Sequence, residues 1–338
     1  MLFVGGSKMR SLFVLAVALS LALTATVCGE ATVARVTHSE FQAVDAGGEQ
    51  TYKASDKVIL EGILLNNPAD MLDPTPDDTI TETFNLGGQW QIFFQGDGND
   101  HAGTAVFMGQ LYNNLPWIPP DGGYSNQEFI AELNRLNAAE FTPGDRIQVT
   151  GYYLSYKGKL NINEQHQKNP DHDFTIELIK QGVGLPQPEV VNLDQLKDDN
   201  DKFIFDPART RGCEYYQGRL VKIEDVEFVD ASDWRPNGQL LITDGTKTFP
   251  IKLGRGNGIY AGSNNLSQRF DVIGIMDQES TDLKSGYRIY VMNYDGNGSV
   301  LASREHRMAD KPGDSNLDGV VDFVDLARLA EDWLRTPQ

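Results

Sequence analysis

The chain has 338 residues, enough for two ordinary domains and a tail, each with its own core. Its 48 acidic residues outnumber 29 basic ones, and the net charge of −19 repels polyanions at long range, within a screening length of about 8 Å. Nucleic-acid binding driven by overall charge is thereby excluded, and only a segregated basic groove would permit it. The 33 glycines and 15 prolines mark a turn-rich, globular chain.

Lys8 and Arg10 precede an apolar run, Leu12–Leu23, that ends in small residues, so 1–29 reads as a secretory signal. The run is shorter than the ~20 residues of a comfortable membrane span. Met9 is an alternative start, and Cys28 would carry the acyl chain if the segment were a lipoprotein signal, although Val27 is large for that motif. Removing the signal takes away Lys8 and Arg10 and no carboxylate, so the charge moves from −19 to −21. Cys213 is then the one cysteine left, and no intrachain disulfide can form.

Lys57–Leu65 is a first strand, stopped by Asn66, Asn67 and Pro68. Asp70–Glu82 is an acidic loop. Gln89–Gln95 and Thr104–Leu111 flank a glycine-rich hairpin connection whose DGND reads as a turn, because it lacks the later ligands of a calcium loop. Ser125 and Glu128 have capping-box spacing, and Phe129, Leu133 and Leu136 give the following helix its apolar face. Asp145–Leu154, Leu160–Asn163 and Phe174–Ile179 return to strand. Proline and acid then dominate 182–201, the expected linker between a first domain, 30–181, and a second, 202–300. In the second, Tyr216–Val229 resembles the first strand, Gln239–Thr243 and Thr248–Leu253 flank the hairpin pair Asp244-Gly245, and Phe270–Met276 and Tyr287–Asn293 finish the unit.

Both halves share an order of one long strand, a hairpin of two more, a connection and two last strands. The fold class expected is mainly β, with two Greek-key barrels in tandem and a short C-terminal loop-helix. The phrases Gly144–Gly151 with Tyr156–Gly158, and Gly218–Val226, resemble the OB-type modules of secreted bacterial proteins. That resemblance implies a barrel rather than a reaction.

An OB fold invites a single-strand reading, in which aromatics stack on bases and cations follow phosphates. Trp90, Phe93, Tyr152, Tyr153, Tyr156, Tyr215, Tyr216 and Tyr290 supply rings, and Arg209, Arg211, Arg219 and Lys222 form one basic cluster. The competing expectation is that alternate rings face a core. None of the histidines, His38, His101, His166, His172 and His306, lies in an HExxH motif, and no GxSxG motif occurs. His166, Asp171, His172 and Asp173 read as a solvated loop. Apposed carboxylates for glycoside hydrolysis stay open, since sequence does not give apposition. The chain is therefore read as non-catalytic.

The tail carries the sharpest motif. Asp314, Asn316 and Asp318 alternate, Gly319 follows, and Asp322 and Asp325 complete a loop whose seventh position, Val320, offers a carbonyl. Positions 1, 3, 5, 7, 9 and 12 with glycine at 6 suit a calcium ion, which takes six to eight oxygens at ~2.3 to 2.6 Å. Phe323, Leu326, Ala327, Leu329, Ala330, Trp333 and Leu334 then make an apolar helical face. The terminal Asp325 and the Lys311-Pro312-Gly313 entry depart from an EF-hand and resemble one repeat of a type I dockerin. By that resemblance Asp314, Asn316, Asp318, Val320, Asp322 and Asp325 hold Ca2+, and a cohesin-like or surface-protein partner is implied. The family has two repeats. Asp295-Gly-Asn297 only imitates a second, so the partner is in question. With 301–312 as linker and 313–338 as tail, the expectation is a secreted or cell-surface binding or attachment protein. The body's ligand is then a glycan or a protein rather than nucleic acid. The alternatives are a nucleic-acid-binding accessory of an extracellular nuclease, or a component of polysaccharide-degrading machinery.

Overall fold

The computed structural model describes residues 33–53, 57–77, 86–111, 123–137, 141–163, 174–256, 259, 269–292 and 301–302. The signal segment with Cys28, the loop histidines His166 and His172, and the calcium set Asp314, Asn316, Asp318, Val320, Asp322 and Asp325 lie outside the described residues. Among those residues, no helix is long and apolar enough to cross a membrane.

In chain order, β1 (Ala34–Arg35), helix α1 (His38–Phe41), β2 (Val58–Leu64) and a 3-10 turn at Pro68–Asp70 lead to β3 (Gln89–Gln95) and β4 (Gly103–Gly109). Helix α2 (Asn126–Asn137) is followed by β5 (Arg146–Gly151), β6 (Tyr153–Tyr156), β7 (Lys159–Asn163) and β8 (Thr175–Lys180). The second set runs β9 (Glu189–Val190), α3 (Leu193–Leu196), α4 (Gly212–Tyr215), β10 (Leu220–Asp230), β11 (Gln239–Thr243), β12 (Thr248–Leu253), β13 (Phe270–Gln278), β14 (Tyr287–Val291) and β15 (Leu301–Ala302).

The protein is mainly β, with two barrels wound alike. In the first, β2 pairs antiparallel with β3 and β5, β3 with β4, β6 with β7, and β4 runs parallel to β7. In the second, β10 pairs antiparallel with β11 and β13, β11 with β12, β13 with β14, and β12 runs parallel to β14. This is the five-strand Greek key of an OB fold, with β5 and β6 sharing the fourth position of barrel one. Alternation fills each barrel. Leu60, Trp90, Ile92, Phe94, Val106, Ile147, Val149, Leu160 and Ile162 point inward in the first, and Val221, Ile223, Ile242, Phe249, Ile251, Val272 and Ile289 in the second.

Helix α2 begins as its sequence dictates. Ser125 N–H and Oγ both lie 2.8 Å from Glu128 Oε2, and Phe129 and Leu136 are buried in the first core. Two features differ from the sequence expectation. The polar stretch between the signal segment and Lys57, to which the sequence reading assigns no element, contains α1, capped by Thr37 and Glu40, with Phe41 in the core. Part of the expected linker belongs to barrel two, because β9 pairs with β10 and Val191, Leu193 and Leu196 are buried in its core. The stretch 182–188 runs between the barrels without strand or helix, and both barrels belong to one compact unit.

Candidate binding surface

OB barrels take oligonucleotides and oligosaccharides on the outer face of strands two and three, between the loops joining strands one to two and four to five. In barrel one these are β3 and β4, residues 65–88, and the turn at Lys157-Gly158. Among the described residues, barrel two covers the Phe93–Gln95 and Gly103–Ala105 part of that face and touches both loops, at Asp70, Met71 and Gly158. Phe93 and Ala105 on the outer face, with Leu65 and Met71 beside them, form a third apolar core with Leu220, Ile275, Tyr290 and Met292. Gln95 Oε1 accepts the Leu220 N–H at 2.8 Å, and the Gly103 N–H donates to the Gln217 carbonyl at 2.9 Å. On the loops, the Tyr290 hydroxyl donates to the Met71 carbonyl at 2.5 Å and the Arg255 N–H to the Asp70 carbonyl at 2.7 Å. The backbones of Gly103 and Gly218 nearly touch: a Cβ on Gly103 would sit 2.1 Å from the Gly218 carbonyl oxygen. Only glycine permits that approach.

The rim of this seam is ionic. Lys159, 5% exposed, pairs with the fully buried Asp277, whose second oxygen lies 2.9 Å from Arg288. Arg288 and Lys157 hold Glu279 at 2.7 and 2.9 Å, and despite burial these donors bring its carboxyl down to about 2. On the opposite rim, His101 Nδ1–H donates to the Tyr215 carbonyl at 2.9 Å, Nε2 lies 2.7 Å from Glu189, and the ring stacks on Tyr215 at 3.9 Å. Both ring nitrogens are engaged, so His101 fastens the barrels and offers no free base.

The aromatic and basic candidates are largely consumed by packing. Trp90, Phe93, Tyr216 and Tyr290 are buried, Tyr152, Tyr153 and Tyr215 are half-buried, and Tyr156 is exposed. Arg209 donates to the Gln42 carbonyl at 2.8 Å and faces Glu214 at 4.0 Å. Arg219 lies 3.5 Å from Glu189, and Lys222 pairs with Glu224 and Asp271 at 2.7 and 3.0 Å. Arg211 is exposed. The four cations therefore do not line one groove. Glu214 is buried beside Tyr287, 2.5 Å from its hydroxyl, and burial raises both groups and the neighbouring Cys213 thiol. Among the described residues no three His, Cys, Asp or Glu side chains converge as a metal site.

The equivalent face of barrel two stands open among the described residues. On β11 and β12 the pairs Leu240–Ile251 and Ile242–Phe249 point inward, which turns Gln239–Lys252, Leu241–Pro250 and Thr243–Thr248 outward. Leu241 is 43% exposed, and Val229, at the bulge where β10 meets β11, is 53% exposed. Lys252 is half-buried, and the carboxylates of Glu279 and Asp277 act on its side chain through space. Burial first, and the charge of Arg288 second, lower its affinity for a proton.

No family model matches the chain. No curated protein matches it either. Among solved structures, it is similar to a murine DNA-binding protein bound with double-stranded DNA, at 12% identity and a TM-score of 0.30 over 69% of this chain and 93% of that one. A replication protein A heterotrimer bound to single-stranded DNA matches at 7% identity and 0.26, over 74% of this chain and 57% of that one. A third structure, described as "Molecular basis for abrogation of activation of pro-inflammatory cytokines", matches at 10% and 0.26, over 71% and 94%. Likenesses of this size carry no functional argument, so the chemistry of this chain's own surfaces decides.

That chemistry is specific to barrel two. Its open face has an aliphatic centre, hydroxyl and amide neighbours and one cation, with no aromatic ring among its six outward residues for a base or sugar to stack on. Aliphatic centre and polar rim are the anatomy of a protein-binding patch. The sequence did not mark Leu241 or Lys252 as functional. The inward alternation of Leu240, Ile242, Phe249 and Ile251 is the signal that would have turned them outward.

Proposed function

We propose that this chain is a secreted, non-catalytic attachment protein, a rigid double-barrel body joined to a calcium-holding, dockerin-like tail that engages a protein partner. One observation supports the reading: barrel two packs over the Phe93–Ala105 part of the ligand face of barrel one. A reader of single strands or glycans with this fold works through that face, and here it serves internal cohesion. By the resemblance, Asp314, Asn316, Asp318, Asp322, Asp325 and the Val320 carbonyl hold the ion, which shapes the tail rather than taking part in a reaction. Binding to the folded tail stabilises it in proportion to RT ln(1 + [Ca2+]/Kd).

Calorimetry on the mature chain tests this directly. About one calcium ion should bind, and Asp318→Ala should weaken uptake at least ten-fold; a wild-type protein that takes up none overturns the tail assignment. A gel-shift titration with a single-stranded oligonucleotide at low salt should give no tight complex. Tight binding with a steep salt dependence would instead establish the nucleic-acid alternative.

A further inference from the structure

We infer that the chain forms a two-fold dimer through the outer edge of β8, with the β8 of a second copy running antiparallel to it and Glu177 of each copy facing Lys180 of the other. The inference goes beyond the attachment reading and rests on none of the calcium ligands.

The edge comes first. β8 ends the first sheet and, among the described residues, pairs with β5 on one side only. The chain holds that line past the strand, because the Gly182 N–H donates to Asp145 Oδ1 at 2.7 Å and the Gly184 N–H to the Gly144 carbonyl at 2.9 Å. Residues 175–185 thus make one rim, up to ~36 Å long at 3.3 Å per residue. The unpaired backbone groups of such a rim are a template for another strand.

The rim is also apolar. Leu178, Ile179, Val183 and Leu185 are 39, 46, 41 and 45% exposed, the densest run of exposed large apolar residues among those described. Ile176, on the same side of the strand as Leu178, is buried in the first core. Leu178 is where that apolar interior reaches the surface.

Charge then fits the rim to its own image. The register slips by one residue at Ile179, so that Ile147 opposes Leu178 while Arg146 opposes Lys180. Ile147 and Val149 point into the core, which turns Gln148 and Arg146 outward, and Glu177 and Lys180 with them. Plain alternation would have left Lys180 on the inner side, beside Leu178. An acid and a base therefore flank Leu178 and Ile179 on one face, in an order that matches itself when one copy is reversed. Nearby on that face, Gln148 donates to Glu177 at 3.3 Å, Arg35 and Arg146 hold Glu61 at 3.1 and 3.3 Å, and Arg146 also holds Asp97. These three cations, Arg35, Arg146 and Lys180, balance the carboxylates of Glu61, Asp97 and Glu177. On a chain of net charge −19, a neutral rim is where two copies approach with least repulsion.

The same pattern selects the occupant. A bulge and a lysine on an edge turn away strands that do not match them, whereas a second β8 matches by identity. Pairing about a two-fold axis also closes at two copies. Four aliphatic side chains on each copy fall short of the ~800 Å² per partner of a standard interface, so the dimer is weak, with a Kd of about 10 to 100 μM. In the attachment reading such a pair presents two tails to one surface, and avidity then exceeds the affinity of either.

The test is sedimentation equilibrium of the mature chain in chelator, from about 1 μM to about 1 mM, which spans that Kd. Monomer should pass to dimer, and amide exchange along Thr175–Lys180 should slow as it does. Ile179→Lys, at an exposed position, should keep the melting temperature and raise Kd at least ten-fold. Glu177→Lys and Lys180→Glu should each raise it at least three-fold at low salt, and the two together should restore it. A chain still monomeric at about 1 mM overturns the dimer. Edge amides already fully protected at about 1 μM overturn it as well, because another part of the chain then covers the edge. So does association that Ile179→Lys leaves intact, that the double charge swap fails to restore, or that continues past two copies.

Discussion

Replacing Asp277 by Asn removes the one carboxylate that Lys159 and Arg288 share inside the seam. Asp277 is fully buried and Lys159 is 5% exposed, so solvent cannot replace the lost charge. Arg288 keeps Glu279 at 2.7 Å, whereas Lys159 keeps the face of Phe93, 5.5 Å away, and only the through-space charge of Glu279. Breaking a buried pair from one side costs about 3 to 5 kcal/mol, because the surviving ion stays desolvated. The lower half of that range applies, since one of the two cations retains a partner. At about 2 °C per kcal/mol for a chain of this size, the melting temperature should fall by about 6 to 8 °C. Urea unfolding and calorimetry on Asp277→Asn measure both quantities, and a single transition should persist because the barrels share the seam. Adding Lys159→Met should recover part of the loss, since a thioether needs no counter-charge. A loss below about 1 kcal/mol, or two transitions of which one is unshifted, would refute the account.

Two further outcomes follow from the same geometry. His38 is fully buried, its Nε2–H donating to the Glu61 carbonyl at 3.2 Å and its Nδ1 lying 2.8 Å from Thr104 Oγ1, and burial holds it down to about 4. The unfolded chain therefore binds a proton that the native one does not between about pH 6.5 and 4. His38's contribution is intact above that window and should fall by about 3 kcal/mol across it, and urea midpoints against pH for His38→Gln should lack this slope. Gly103→Ala would force apart backbones that admit no Cβ, and a loss of at least about 3 kcal/mol should appear in urea unfolding; an unchanged midpoint would contradict the contact.

The strands themselves were legible because their inward faces follow a period of two. Gln89–Gln95, Gln239–Thr243 and Thr248–Leu253 coincide with the sequence reading, and the Ser125–Glu128 box marks where α2 begins. The seam was not legible, for a physical reason. Gln95, Lys159, Asn161 and Asp277 are polar residues at outward positions, which alternation assigns to water, and all four are buried because another barrel lies over them. Nothing local distinguishes a polar residue facing solvent from one facing a second module. The segment Glu189–Leu196 was masked differently: Val191, Leu193 and Leu196 are few among acids and prolines, and composition outweighed their spacing. The rings were ambiguous because burial and stacking recruit the same residue types, and only the fold separated Trp90 and Tyr290 from Tyr156.

Filling one barrel's ligand face with the next barrel also orders events during synthesis. The surface carrying Leu65, Met71, Phe93 and Ala105 is complete once the first module is made, yet Leu220, Ile275, Tyr290 and Met292 that cover it come more than a hundred residues later. A nascent chain, or a fragment ending near residue 181, would carry a sticky, half-finished surface. Contacts of such sequence separation form late and slowly, so holding the chain unfolded until its second half arrives would suit it better than module-by-module folding.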